Sequence, residues 1–351
     1  MSKIQNGSKS HKWLVYGLAG LLFFGGFGTN AALASEQACD ITSSTVLVGC
    51  DFSNTDLSGS NLANYTIQNS DFSGANLQNA DLSGVNLSSN TFSSTTSFSG
   101  ANLSRVNMSD MDLTGINLSA ANLTDSNLSG SNLTSAVLNS VNLTNANLDS
   151  VNLTNAELRS SNVNGTDFSD ATLNGLTTSN LYNTPLIIPT GSKIISGYLF
   201  APYVNFTGAN LNNLDLSNLN LTGINFTSTS LQSVNFTNTT LINANLTSAN
   251  LSSATLTNAN FTGANLTRAN LSMAWIQNTD FTRAEMSSIY RYCTDDFACG
   301  QFYYFGWNRD YITYRVSFVS ATLVGVKSRD FPKYATDLCN YRYYYYGWYN
   351  Y

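Results

Sequence analysis

Histidine is nearly absent: His11 is the only one in 351 residues. It lies in a segment read below as an export signal, so the chain beyond it offers no imidazole for a Ser-His-Asp triad or a histidine-bound metal. Charge is scarce as well, at 10% of residues with a net of −6. No basic stripe for nucleic acid forms from so few cations, and no strong electrostatic partner follows. The five cysteines include no C-x-x-C pair, which argues against zinc ribbons and redox motifs. Gly191 is not followed by the spacing or the Lys-Ser/Thr ending of a phosphate loop. Asp295 and Asp296 are chain neighbours, a placement that ordinarily turns side chains apart, and they read as solvated loop charges. Neither an enzyme nor a cofactor is expected.

Long apolar runs are also missing after residue 35, so no later segment is expected to cross a bilayer as a helix. Residues 1–34 read as an export signal. Lys3, Lys9 and Lys12 give a positive start, Trp13 to Phe27 form a short apolar run, and Ala32-Leu33-Ala34 offers a small–x–small cleavage site before Ser35. An uncleaved N-terminal anchor is the alternative. Cleavage between Ala34 and Ser35 would deliver the chain to the periplasm or the exterior, where disulfides persist. A Cys39–Cys50 bridge and one bridge among Cys293, Cys299 and Cys339 are expected there, leaving one thiol over.

What is present is a period of five. From Asp51 to Ser287 the chain repeats small apolar, Asn or Asp, Leu or Phe, Ser or Thr, and a variable residue, as in Ala121-Asn122-Leu123-Thr124-Asp125. Central positions, mostly Leu or Phe, fall in three phases: Phe52 to Phe92, Phe98 to Leu173, and Phe206 to Met286. Neither the helical period of 3.6 nor the strand period of two gives this spacing, and fixed self-similarity indicates a repeat architecture. Phe52, Phe72 and Phe92 recur every 20 residues, as do Phe206 with Phe226 and Phe261 with Phe281. A 20-residue coil of four repeats would stack these rings. The small residues two positions before each centre would also point inward, while the flanking Asn/Asp and Ser/Thr would face water. An isolated coil buries too little to offset its ordering entropy, so stacking is obligatory and both ends need caps.

These motifs, which span about two thirds of the chain, resemble the pentapeptide-repeat family. The resemblance implies an all-β fold, a right-handed quadrilateral β-helix (β-solenoid), here of about ten coils. Its divisions are an N-terminal cap at 35–50, a first block at 51–173, an interrupting loop or widened coil at 174–205, a second block at 206–287, and a Tyr-rich cap or interaction module at 288–351. One extra residue interrupts the frame between Phe92 and Phe98. Ile188-Pro189-Thr190-Gly191 and Gly197-Tyr198-Leu199-Phe200-Ala201-Pro202 resemble a segment of exported bacterial members, where Trp commonly stands in place of Ser192. The last 64 residues carry 14 tyrosines, with seven basic residues against five acidic. There, Ile312 to Phe318 reads as a half-buried strand, or Val316 to Gly325 as two degenerate repeats centred on Phe318 and Leu323.

Three functions are weighed. In the first, the chain is a structural or binding module of the cell envelope or exterior. Its tail would engage a protein or envelope polymer through Tyr303, Tyr304, Trp307, Tyr344, Tyr345 and Trp348, or fill a capped core with them. Some family members dimerise through aromatic C-terminal ends, which would make a homodimer. In the second, the chain is a DNA mimic like the family members that bind DNA gyrase. The position before each centre, however, holds 23 Asn and only 10 Asp or Glu in 42 repeats, so a phosphate-like potential is not formed. Nucleic acid itself is not expected as a partner. In the third, Thr207, Thr227, Thr247 and Thr267, spaced 20 apart, form a flat ladder for ice or polysaccharide.

Overall fold

The computed structural model describes residues 39–285 and the strand Thr322–Val324. Each five-residue unit settles its own backbone hydrogen bonds, and that accounting explains the repeat. In the unit around Leu123, the Asn122 N–H donates to Ala101 O in the preceding coil (2.9 Å), while the Leu123 N–H donates to Asn142 O in the following one (2.8 Å). Asp125 N–H likewise donates to Thr144 O (2.8 Å), and Ser126 N–H closes a turn on Leu123 O (3.1 Å). The fifth N–H, that of Thr124, has no carbonyl and is taken by the Asn122 Oδ1 at 3.2 Å. An Asn or Asp before the centre is therefore what completes the unit.

The turn places its third residue at positive φ, +56° at Asp125, as a type II turn requires. Short polar residues and glycine dominate that slot because they tolerate the left-handed region. Four such turns make a coil. Parallel bridges join residues 20 apart on four sides, as in Asp51↔Asp71, Asp56↔Asn76 and Asn61↔Asp81. The fourth side is the pairing of strand β1 (Val46–Val48) with β2 (Thr66–Gln68). No helix occurs among the described residues.

The interior is a column of centres flanked by small residues. Phe52, Phe72 and Phe92 stack at centroid distances of 5.0 and 5.4 Å, and Phe261 stacks on Phe281 at 5.1 Å. Leu123, Leu143 and Ala121 are buried. Where the inward small position is Thr, its hydroxyl reaches a centre's carbonyl one coil down, as Thr166 does to Leu143 O (2.8 Å) and Thr229 to Phe206 O (2.7 Å).

Two interruptions depart from the period. Across the extra residue before Phe98, bridges step by 21, as in Asn76↔Ser97 and Asn86↔Asn107. The Thr96 hydroxyl fills the gap by donating to Phe72 O (2.8 Å) and accepting from Ser93 N (3.1 Å). The second interruption is larger. Strands β3 (Glu157–Arg159) and β4 (Thr177–Ser179) keep the 20-residue register. Asn205 N–H then reaches back 29 residues to Leu176 O, where Asn225 N–H reaches back 21 to Val204 O. Eight additional residues are thus held in one coil.

They are absorbed by an antiparallel hairpin of β5 (Lys193–Ile195) and β6 (Tyr198–Phe200). Its two-residue turn, Ser196-Gly197, has both φ angles positive, matching the twist of the strands. Leu199 and Phe200 are buried, and Leu199 N–H donates to the Thr178 hydroxyl (3.0 Å). A Cβ on Gly197 would sit 3.0 Å from Leu181 O at φ +78°, so only glycine fits there.

At the start of the solenoid, a disulfide joins Cys39 to Cys50, and Tyr65 Oη donates to Ile41 O (2.9 Å). Cys39 and Ile41 pack on the end of the core. At the other end, β7 (Trp275–Gln277) pairs in parallel with β8 (Thr322–Val324), Ile276 opposite Leu323. Leu323 thus takes the register of a repeat centre. Phe318 and the run from Ile312 lie outside the described residues.

Candidate interaction surface

The outward rows are the solenoid's main surface, and most of their polarity is spent internally. Asn122 Oδ1 accepts from Thr124 N–H and from the Thr124 hydroxyl (2.7 Å). Its Nδ2 donates to Asn102 Oδ1 one coil down (3.2 Å), and it accepts in turn from Asn142 Nδ2 (3.3 Å). The ladder continues through Asn162 (3.1 Å) to Asn183 (2.7 Å) and starts at Asp81, which accepts from Asn102 (3.0 Å). A carboxylate has no N–H to give downward, so it suits the foot of a ladder. Asp56 beneath Asn76, Asp112 beneath Asn132 and Asp215 beneath Asn235 hold the same place.

The exposed carboxyls of Asp56, Asp112 and Asp215 are held below their ordinary value of 3.8. For Asp112 the Thr114 hydroxyl is the main cause, followed by the Thr114 N–H and the amide of Asn132. For Asp215 it is the Ser217 side chain and N–H, then Asn235, with Lys193 adding a positive charge.

The threonine row is engaged in the same way. The hydroxyls of Thr207, Thr227 and Thr247 each donate to the Asn two residues before them, at 2.7 Å. The spacing expected for Thr207, Thr227, Thr247 and Thr267 is present, but at these three positions the hydroxyl that would face a ligand is committed to the side chain beside it.

Apolar residues break the polar rows at a few places that periodicity alone did not single out. Tyr182, Leu186 (70% exposed) and Ile187 are exposed on the widened coil, and Met273 and Trp275 are exposed near the last described coil. Tyr182, Ile187 and Trp275 each occupy the slot before a centre, where Asn is the rule. That substitution was the available signal. Among the described residues, no three of His, Cys, Asp and Glu come together as metal ligands would. Ala34, Ser35, Cys293, Cys299, Cys339, Tyr303, Tyr304, Trp307, Tyr344, Tyr345 and Trp348 all lie outside the described residues.

A five-residue unit that satisfies all its N–H groups, repeated on four sides of a coil, defines a pentapeptide solenoid. The family model for pentapeptide repeats matches in eight copies within residues 43–175 and 205–283, more than half of the chain. The chain belongs to the pentapeptide repeat family, whose members form right-handed quadrilateral β-helices. No curated protein matches it.

Among solved structures, it is similar to HetL, a pentapeptide repeat protein involved in heterocyst differentiation regulation from the cyanobacterium Nostoc sp. strain PCC 7120. Identity is 19% over 82% of this chain and 90% of that one, with a TM-score of 0.22. It is also similar to full-length QnrB1, a plasmid-mediated fluoroquinolone resistance protein, at 16% identity over 81% and 94%, TM-score 0.18. A pentapeptide repeat protein from the Arabidopsis thaliana thylakoid lumen is 26% identical over 31% and 70%, TM-score 0.17.

Proposed function

We propose that this chain is a non-enzymatic, exported solenoid of about ten coils that serves the cell envelope or exterior as a spacer and binding module. Its Tyr-rich segment, 288–351, engages a protein or an envelope polymer, or a second copy of itself. The observation that carries this reading is the closed Asn ladder: Asn122 uses its amide on Asn102, Asn142 and Thr124, leaving a neutral, self-satisfied face. Such a face supports a soluble spacer and does not favour a catalytic surface, which needs polar groups free to meet substrate. Recognition then falls to the aromatic residues, which bury large area and keep a polar handle.

The test is retention of the purified full chain on peptidoglycan and on envelope polysaccharide. Retention that drops when Trp307→Ala and Trp348→Ala are combined supports the reading. Retention unaffected by both, or absent on every envelope polymer and envelope protein tried, contradicts it.

One observation favours a second reading, mimicry of DNA toward a type II topoisomerase. Residues 39–104 carry five Asp and neither Lys nor Arg. An acidic end of this kind is a partial substitute for phosphates, although the Asn ladders dilute it. Inhibition of gyrase supercoiling by the purified chain at micromolar concentration would support that reading over the first.

A further inference from the structure

The first strand of the solenoid has, among the described residues, an outer edge with no coil beneath it. Among the described residues, β1 pairs with β2 alone. In most interior units the residue before the centre points its N–H and C=O at the preceding coil, as Asn122 does toward Ala101 and Leu103. In β1 that residue is Val46, and one side chain occupies both groups. The Ser44 hydroxyl accepts from Val46 N–H (3.0 Å) and donates to Val46 O (2.9 Å). Val46 and Val48, which flank the buried centre Leu47, are 51% and 44% exposed. An extended edge with β-branched outward residues is a template for another strand, and proteins commonly block such edges.

We propose that the outer edge of β1 is a docking edge for the C-terminal strand of a second copy of this chain, stoppered by the Ser44 hydroxyl. Three observations select that occupant. Among the described residues, the side of the coil whose first strand is Val46-Leu47-Val48 has Thr322-Leu323-Val324 as its last, with Leu at the centre of both. β8 pairs in parallel with β7 in the three-residue register that β1 uses with β2. Placing one copy's β8 under another's β1 therefore continues the parallel register Ile276, Leu323, Leu47, Ile67 with no change of strand direction. Finally, the two stretches of sequence around these strands differ in charge: five Asp without a cation in 39–104, against seven basic and five acidic residues in 288–351. The contact is heterologous, so it propagates head to tail rather than closing into a pair.

The test is sedimentation velocity of the full chain across a range of concentrations. Ser44→Ala removes the stopper and is expected to associate about tenfold more tightly than wild type, the equivalent of one freed hydrogen bond. Ser44→Thr retains a hydroxyl and should sediment as wild type. Adding Val46→Lys to Ser44→Ala charges the edge without touching the core and should return the wild-type distribution.

Register is read by mixing Ser44→Ala/Val48→Cys with Ser44→Ala/Val324→Cys under mild oxidation. A disulfide between positions 48 and 324, identified by peptide mapping, should form in the mixture and in neither variant alone, while far-UV circular dichroism confirms that each is folded. Identical sedimentation of Ser44→Ala and wild type would overturn the proposal. So would association indifferent to Val46→Lys, or association without the mixed crosslink, which would indicate a different face such as the aromatic tail.

Discussion

Asn122 offers the sharpest test of why the repeat prefers Asn to Asp. Replacing it with Ala removes its hydrogen bonds with Thr124 N–H, the Thr124 hydroxyl, Asn142 Nδ2 and Asn102 Oδ1. Each bond contributes about 0.5–1.5 kcal/mol net, and the partly buried setting places these at the low end. Asn122→Ala should therefore cost about 2 kcal/mol. Asn122→Asp keeps the three accepting roles, loses the donor to Asn102, and leaves two oxygens facing one another at the 3.2 Å now spanned by that bond. A cost of about 1–1.5 kcal/mol is expected. The converse exchange at a ladder foot, Asp112→Asn, keeps the acceptor for Asn132 and should stay within about 0.5 kcal/mol of wild type. Guanidinium unfolding followed by circular dichroism measures all three, with the slope checked because repeat arrays depart from two-state behaviour. Equal costs for Asn122→Asp and Asp112→Asn would refute the ladder as the reason for Asn.

Ser131 Oγ is buried without a hydrogen-bond partner, so Ser131→Ala should stabilise the chain by about 1 kcal/mol, read as a higher unfolding midpoint. Ala120 occupies the left-handed turn slot at φ +57°; Ala120→Gly should also raise stability, by about 0.5–1 kcal/mol, because relief of the Cβ clash exceeds the entropy that glycine adds to the unfolded chain. Asp112 and Asp215 have folded values below 3.8, so the stability they contribute is present above that value and lost as pH falls through the lower folded ones. Acid titration should show the unfolding midpoint flat above about pH 5 and falling below pH 4, less steeply in the Asp112→Asn/Asp215→Asn double variant.

The period of five and the spacing of Phe52, Phe72 and Phe92 made the coil legible, because a stacked structure writes each coil's geometry into the next. The inward small residues and the outward Asn positions followed from the same register. The use of Asn was less visible: hydration explains an outward amide, but only the count of N–H groups shows that Asn122 completes its own turn. The widened coil was flagged by lost periodicity, yet the hairpin around Ser196-Gly197 depends on packing of Leu199 and Phe200 that no local pattern specifies. Leu323 presented two parses because a short apolar run supports either, and its pairing with Ile276, across 46 intervening residues, is non-local. The Ser44 stopper was invisible for a similar reason, since its meaning depends on β1 being the first strand among the described residues.

Export is the premise on which the spacer reading rests, and one measurement reaches it directly: N-terminal sequencing of the chain recovered from fractionated native cells. A start at Ser35 in the periplasm or the medium is the predicted result, and it would separate the protein from cytosolic topoisomerases. A full-length chain in the cytosol would contradict the account and turn attention to the acidic residues of 39–104.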